Sequence, residues 1–150
     1  LPRLREELPE DDYIVEIGKA RIAREGRDVS IITFGAQVLT ALDAAEELEK
    51  EGLDVEVIDL RTLAPMDKEA ILASVKKTSR ALILHEASLT GGIGGEISAI
   101  ISQEAFEWLD APVVRVASLD TPVPYSPPME DYYLPQVKDG LGATRKLAAD

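Results

Sequence analysis

Val55-Glu-Val-Ile-Asp-Leu-Arg-Thr-Leu-Ala-Pro-Met-Asp67 is the stretch whose reading decides the fold. Val55, Val57, Ile58 and Leu60 form the β-rich apolar run of a strand covered on both faces. Pro65 lacks an N–H and fixes φ, so the strand does not simply continue through it. Asp67 can accept an N–H from the first turn of a helix, and Lys68 to Lys77 continues with helical spacing. A buried strand, a turn and a capped helix therefore follow one another. Asp59-Leu-Arg-Thr62 places polar groups at the strand's C-terminal end, the edge where open α/β sheets meet ligands or partners.

Outward from this unit, strands and helices alternate. Asp28 to Phe34 is a strand, with Val29, Ile31, Ile32 and Phe34 apolar. Gly35 breaks it, and Ala36 to Glu51 reads as a helix whose stripe is Val38, Ala41, Leu42, Ala45 and Leu48. Gly52 ends that helix. Ala81 to Leu84 is the next strand, Ile93 to Leu109 the next helix and Val113 to Val116 the last strand. The expected helix places Ile93, Ile97, Ile100, Ile101, Ala105 and Trp108 on one side. A proline-rich loop is expected from Ser118 to Pro135, then a closing helix to about Ala149. Residues 1–17 read as an N-terminal arm or linker, in which Tyr13 to Ile17 packs as an extended lead-in, and residues 18–150 as the domain. Such spacings fit right-handed crossovers, hence a parallel core sheet with helices on both faces.

The 150 residues suit one domain with a real core. A formal net charge of −12 argues against nucleic acid as a partner and allows a basic protein. The chain has no cysteine, which excludes thiol chemistry and a disulfide framework and agrees with a cytoplasmic location. No apolar run approaches membrane-spanning length. The first residue is Leu1, as expected of a processed chain or an excised fragment.

Few residues offer chemistry. His85, the only histidine, follows the apolar run Ala81-Leu-Ile-Leu84 and stands beside Glu86. One histidine does not build a common zinc site. A general base and a histidine bonded to loop backbone or to a neighbouring subunit are both open readings. Gly91-Gly-Ile-Gly-Gly95 follows a strand and opens a helix, where free N–H groups favour anions. It lacks the third glycine of a dinucleotide fingerprint and the Lys-Ser/Thr of a P-loop, and Glu96 places a negative charge beside it. A tight turn allowing close helix–sheet approach is the plainer reading, and a stand-alone flavodoxin-like ligand-binding module using Gly91 to Gly95 is the alternative. No serine sits in a nucleophile elbow. Asp59 and Arg61 share a side of one strand end, as an ion pair, a loop anchor or an interface contact. The loop from Asp120 to Pro135 holds five prolines and Tyr125, Tyr132 and Tyr133. Prolines lower its ordering cost and tyrosine supplies contact area, so it reads as an ordered docking loop.

The opening stretch, His85-Glu-Ala-Ser-Leu-Thr-Gly-Gly-Ile-Gly-Gly-Glu96, Leu109-Asp-Ala-Pro-Val113, Asp120-Thr-Pro-Val-Pro-Tyr125 and Leu134-Pro-Gln-Val-Lys-Asp139 come in series over nearly the whole chain. Together they resemble the C-terminal domain of the beta subunit of thiamine-dependent 2-oxo acid dehydrogenases, in the wider transketolase group. The resemblance implies a three-layer α/β/α sandwich with a five-stranded, mostly parallel mixed sheet, Lys19 to Arg24 being the candidate antiparallel edge. It implies an α2β2 enzyme that decarboxylates a 2-oxo acid on thiamine diphosphate with magnesium and acylates a lipoyl acyltransferase. The cofactor is held by the alpha subunit and the beta subunit's other domain, so this domain is expected to bind none and to carry no catalytic residue. Its expected partners are the alpha subunit, a second beta subunit and the subunit-binding domain of the acyltransferase. His85-Glu-Ala-Ser-Leu-Thr-Gly-Gly looks most like branched-chain members, which gives a lean toward a branched-chain substrate. Asp110, before Ala111-Pro112, is the expected acidic contact for the acyltransferase, because it follows a helix end where a carboxylate gains nothing locally. Gly140 and Gly142 depart from the pattern by interrupting the closing helix, and each costs about 1 kcal/mol relative to alanine unless packing requires it.

Overall fold

The computed structural model describes residue 10 and residues 12–149. Five strands, β1 (Arg21–Arg24), β2 (Val29–Thr33), β3 (Val55–Asp59), β4 (Ala81–Ser88) and β5 (Val114–Ser118), form one sheet in the order β1-β3-β2-β4-β5. The β3–β2, β2–β4 and β4–β5 pairs are parallel, and β1 closes one edge antiparallel to β3. The helices are α1 (Gln37–Lys50), α2 (Lys68–Thr78), α3 (Ile93–Glu104), α4 (Pro127–Tyr133) and α5 (Val137–Ala149).

All residues of β2 and β3 are buried, as strands covered on both faces require. Alternation sends Val29, Ile31, Val55, Val57, Leu82 and Leu84 toward Ala41, Ala45 and Leu48 of α1 and Leu147 of α5. It sends Ile32, Ile58 and Ile83 toward Ile71 and Val75 of α2 and Ile97 and Ile101 of α3. Two hydrophobic layers thus flank the sheet. Asp67 caps α2 by accepting the Ala70 N–H at 3.2 Å, while its other oxygen accepts the Ala20 N–H at 2.9 Å. Ser30 on β2 is buried in a hydroxyl cluster with Ser74 at 2.5 Å and Thr78 at 2.7 Å on α2.

Several boundaries differ from expectation. Hydrogen bonding carries β4 on to Ser88, because β5 pairs alongside as far as Ser118. The helix expected to reach Leu109 ends at Glu104 and gives way to a 3-10 turn, Phe106–Trp108. The Asp110 N–H donates to Ser79 O at 2.9 Å, tying the chain back to the end of α2. Trp108 therefore leaves the core side and is 46% exposed, with Lys76 Nζ 5.6 Å from its ring centroid. The proline-rich segment contains α4, for Ser126 precedes Pro127 and Pro128 at the first helical positions and its carbonyl accepts the Glu130 N–H. Residues 1–9 and 11 of the expected arm lie outside the described residues. Tyr13, Ile14 and Ile17 are largely exposed rather than packed. Close packing requires neither glycine of α5: a Cβ on Gly140 would meet Ala44 at an ordinary 3.6 Å, and one on Gly142 would meet nothing within 4 Å.

Candidate functional site

The C-terminal edge of the parallel strands gathers most of the singled-out residues. Asp59 serves the fold itself: its Oδ1 accepts the Arg61 N–H at 3.1 Å and its Oδ2 accepts from Arg21 of the edge strand at 3.3 Å. Arg61 lies 4.0 Å from the same carboxylate and takes a positive φ of 55°. Thr62 Oγ1 accepts the Gly18 N–H at 3.1 Å. This polar cluster anchors the lead-in segment and the edge strand, the local role rather than a free interface.

His85 is fully buried, inside β4 rather than beyond it. Its ring stacks on Phe34 with centroids 6.1 Å apart, and neither nitrogen meets a hydrogen-bond partner. It is therefore neither a backbone-bonded loop residue nor an accessible subunit contact. Burial pushes the imidazole below its ordinary value; the Ala87 backbone opposes this weakly and the Arg115 guanidinium adds to it. The glycine turn is shaped by this ring. A Cβ on Gly94 would lie 2.3 Å from His85 Nε2, and one on Gly92 would lie 2.9 Å from Cε1 and 2.3 Å from Ser88 O. The space that a phosphate loop would reserve for a diphosphate is filled by imidazole. Among the described residues no group of three or more His, Cys, Asp or Glu side chains is placed to hold a metal ion. The turn and its surroundings do not fit thiamine diphosphate with magnesium, nor the flavodoxin-like alternative.

The turn is fastened from β5. Arg115 donates to Leu89 O at 3.0 Å, and Asp120 accepts from the Thr90 N–H at 2.8 Å and hydroxyl at 2.6 Å, bonds that hold its carboxyl below the usual range. Beyond Asp120 the chain forms an open apolar groove of about 910 Å³ whose walls include Pro122, Val123, Tyr125, Met129 and Tyr132. Tyr125 and Tyr132 are exposed, whereas Tyr133 is 6% exposed and faces inward, so only the first two remain contact candidates. Asp110 does gain a local partner, Arg80 at 3.7 Å, while staying more than half exposed.

The family model of the transketolase C-terminal domain matches residues 18–139. The chain belongs to the transketolase C-terminal domain family. It is 49% identical over 95% of its length to the pyruvate dehydrogenase E1 component subunit beta of Bacillus subtilis (strain 168), and 49% identical over 90% to that of Staphylococcus aureus (strain Mu50 / ATCC 700699). It covers 44% and 41% of those proteins, so it spans less than half the length of the curated relatives it matches. A solved structure described as a split-gene transketolase, inactive beta4 tetramer, superimposes with a TM-score of 0.80 at 29% identity over 96% of this chain and 46% of that one. A 2-oxoglutarate:ferredoxin oxidoreductase from Magnetococcus marinus shares the fold alone, with a TM-score of 0.51 at 18% identity over 87% of this chain and 19% of that one. These relatives carry the pyruvate name, which does not support the branched-chain lean. For this transketolase C-terminal domain no helix among the described residues is long and apolar enough to cross a membrane.

Sequence reasoning missed the cleft beside Glu86. Gln37, Asp43, Glu86, Glu130 and Asp131 share its walls. Glu130-Asp131 was visible as a charge pair, but only the formation of α4 carries it opposite α1.

Proposed function

We propose that this chain is the C-terminal assembly domain of the beta subunit of a thiamine-dependent 2-oxo acid dehydrogenase, with pyruvate as the 2-oxo acid of the parent enzyme. The observation that carries the reading is the apolar groove of the 119–133 segment, on a domain whose conserved-looking glycine turn is packed by a side chain rather than opened to a ligand. Exposed contiguous apolar surface of this kind marks a protein contact. In this reading the groove meets another subunit, either the alpha subunit or a second beta subunit. Thiamine diphosphate and magnesium are held elsewhere in the assembled cytoplasmic enzyme, and Asp110 contributes to the surface that meets the acyltransferase's subunit-binding domain.

The test is a chimera. The matching portion of the Bacillus subtilis relative is replaced by this chain, and the chimeric beta subunit is produced with its alpha subunit. The reading expects an assembled enzyme that oxidatively decarboxylates pyruvate. A chimera that folds but stays apart from the alpha subunit refutes it. In the assembled chimera, Asp110→Asn is expected to weaken binding of the subunit-binding domain, and equal affinities would remove Asp110 from that surface.

A further inference from the structure

We propose that the cleft beside Glu86 is a receptor for an arginine side chain projected by a partner polypeptide; this rests on the assembly reading. The cleft lies at the topological switch point. After β2 the chain leaves through α1 toward β3, and after β4 it leaves through α3 toward β5, so the connections diverge between these neighbouring strands. Crevices at such points are the usual contact sites of open α/β sheets. Its walls come from the start of α1, the exposed end of β4, and α4 with the residues after it. Its volume is about 350 Å³, room for one side chain rather than a large cofactor.

Charge selects the occupant. Asp43, Glu86, Glu130 and Asp131 line the cleft, and no Lys, Arg or His does. All four are exposed, and none has a cationic side chain within 4.0 Å among the described residues, although nine such ion pairs occur elsewhere. The independent observation is Gln37. This first residue of α1 is 4% exposed and forms part of the cleft wall, and its Oε1 is buried with no donor. A buried amide oxygen without a donor is costly, and a ligand N–H removes that cost. The carboxylates are not grouped to hold a metal ion. A guanidinium, with five donors in a planar fork, can serve separated carboxylates and the Gln37 oxygen together; an ammonium is a point charge. The net charge of −12 favours approach of such a basic partner.

The experiment titrates the 150-residue chain, labelled for amide NMR, with Nα-acetyl-arginine amide, and separately with its uncharged citrulline analogue. The expected result is saturable shifts centred on Gln37, Glu86 and Glu130 with the arginine compound and none with citrulline. The variant Glu86→Gln/Glu130→Gln, at two exposed positions, is expected to weaken the affinity about fivefold or more. Shifts spread evenly over the acidic surface, equal responses to citrulline, or unchanged affinity in the variant would overturn the proposal. None of those outcomes touches the chimera's assembly, so the two readings fail separately.

Discussion

Gly94→Ala is the sharpest probe of how this domain uses its glycine turn. The added methyl carbon would lie 2.3 Å from His85 Nε2 and 2.7 Å from Cδ2, against an ordinary contact of about 3.5–4.0 Å. The ring is fully buried, stacks on Phe34 and meets Gly92 on its other side, so it has little room to yield. Overpacking of a buried site costs about 1–3 kcal/mol, and the tight geometry places this case near 3. Alanine returns about 1 kcal/mol of helix propensity in α3, leaving a net loss of about 2 kcal/mol. At about 2–4 °C per kcal/mol for a chain of this size, the midpoint falls by about 4–8 °C. Urea unfolding followed by circular dichroism measures the loss directly. The same substitution in a His85→Ala background meets no ring, so there it is neutral or stabilising by up to about 1 kcal/mol. Equal losses in both backgrounds, or a loss below about 0.5 kcal/mol in the unmodified chain, refute the claim that His85 occupies the turn.

Three further outcomes follow from the same structure. Lys77 contacts both Glu25 and the buried Glu56, so Lys77→Met strands a buried carboxylate and is expected to cost about 3 kcal/mol; Glu56→Gln in the same chain recovers most of it in urea unfolding. Burial holds His85 below its ordinary value of 6.5, so the unfolded chain binds the proton more readily; the stabilisation is complete above about pH 6.5 and declines as pH falls toward the lowered folded value. That component of the pH profile is absent in His85→Phe, and an unchanged profile would sink it. Gly142→Ala, with open space around its Cβ in α5, is expected to raise stability by about 0.5–1 kcal/mol in thermal unfolding.

The core of this fold was legible because its signals are local. Val29 to Thr33 and Val55 to Asp59 are apolar on both faces, and Asp67 announces α2 through its own cap. What was not legible depends on distant partners. β4 runs through polar residues to Ser88 only because β5 lies alongside, and α3 stops at Glu104 although its apolar period persists to Trp108. Ser126-Pro-Pro was read as a loop because proline breaks helices from within, yet proline also starts them. Adjacent Tyr132 and Tyr133 point about 100° apart on a helix, so one is exposed and the other buried, and nothing in the dipeptide says which. Asp59 and Arg61 were rightly placed on one side, but Arg21 enters their cluster only through the antiparallel edge. Asp110 seemed to oppose a helix dipole because Arg80, thirty residues earlier, was not visible as its neighbour.

Sedimentation equilibrium of the chain from micromolar to millimolar concentration tests the central claim, that this is an assembly domain built around an exposed apolar groove. The account predicts a reversible dimer at high micromolar concentration, lost in Tyr125→Lys/Met129→Lys, whose two side chains are exposed and contribute little to the fold. A monomer throughout that range, or a dimer indifferent to the two lysines, would contradict it.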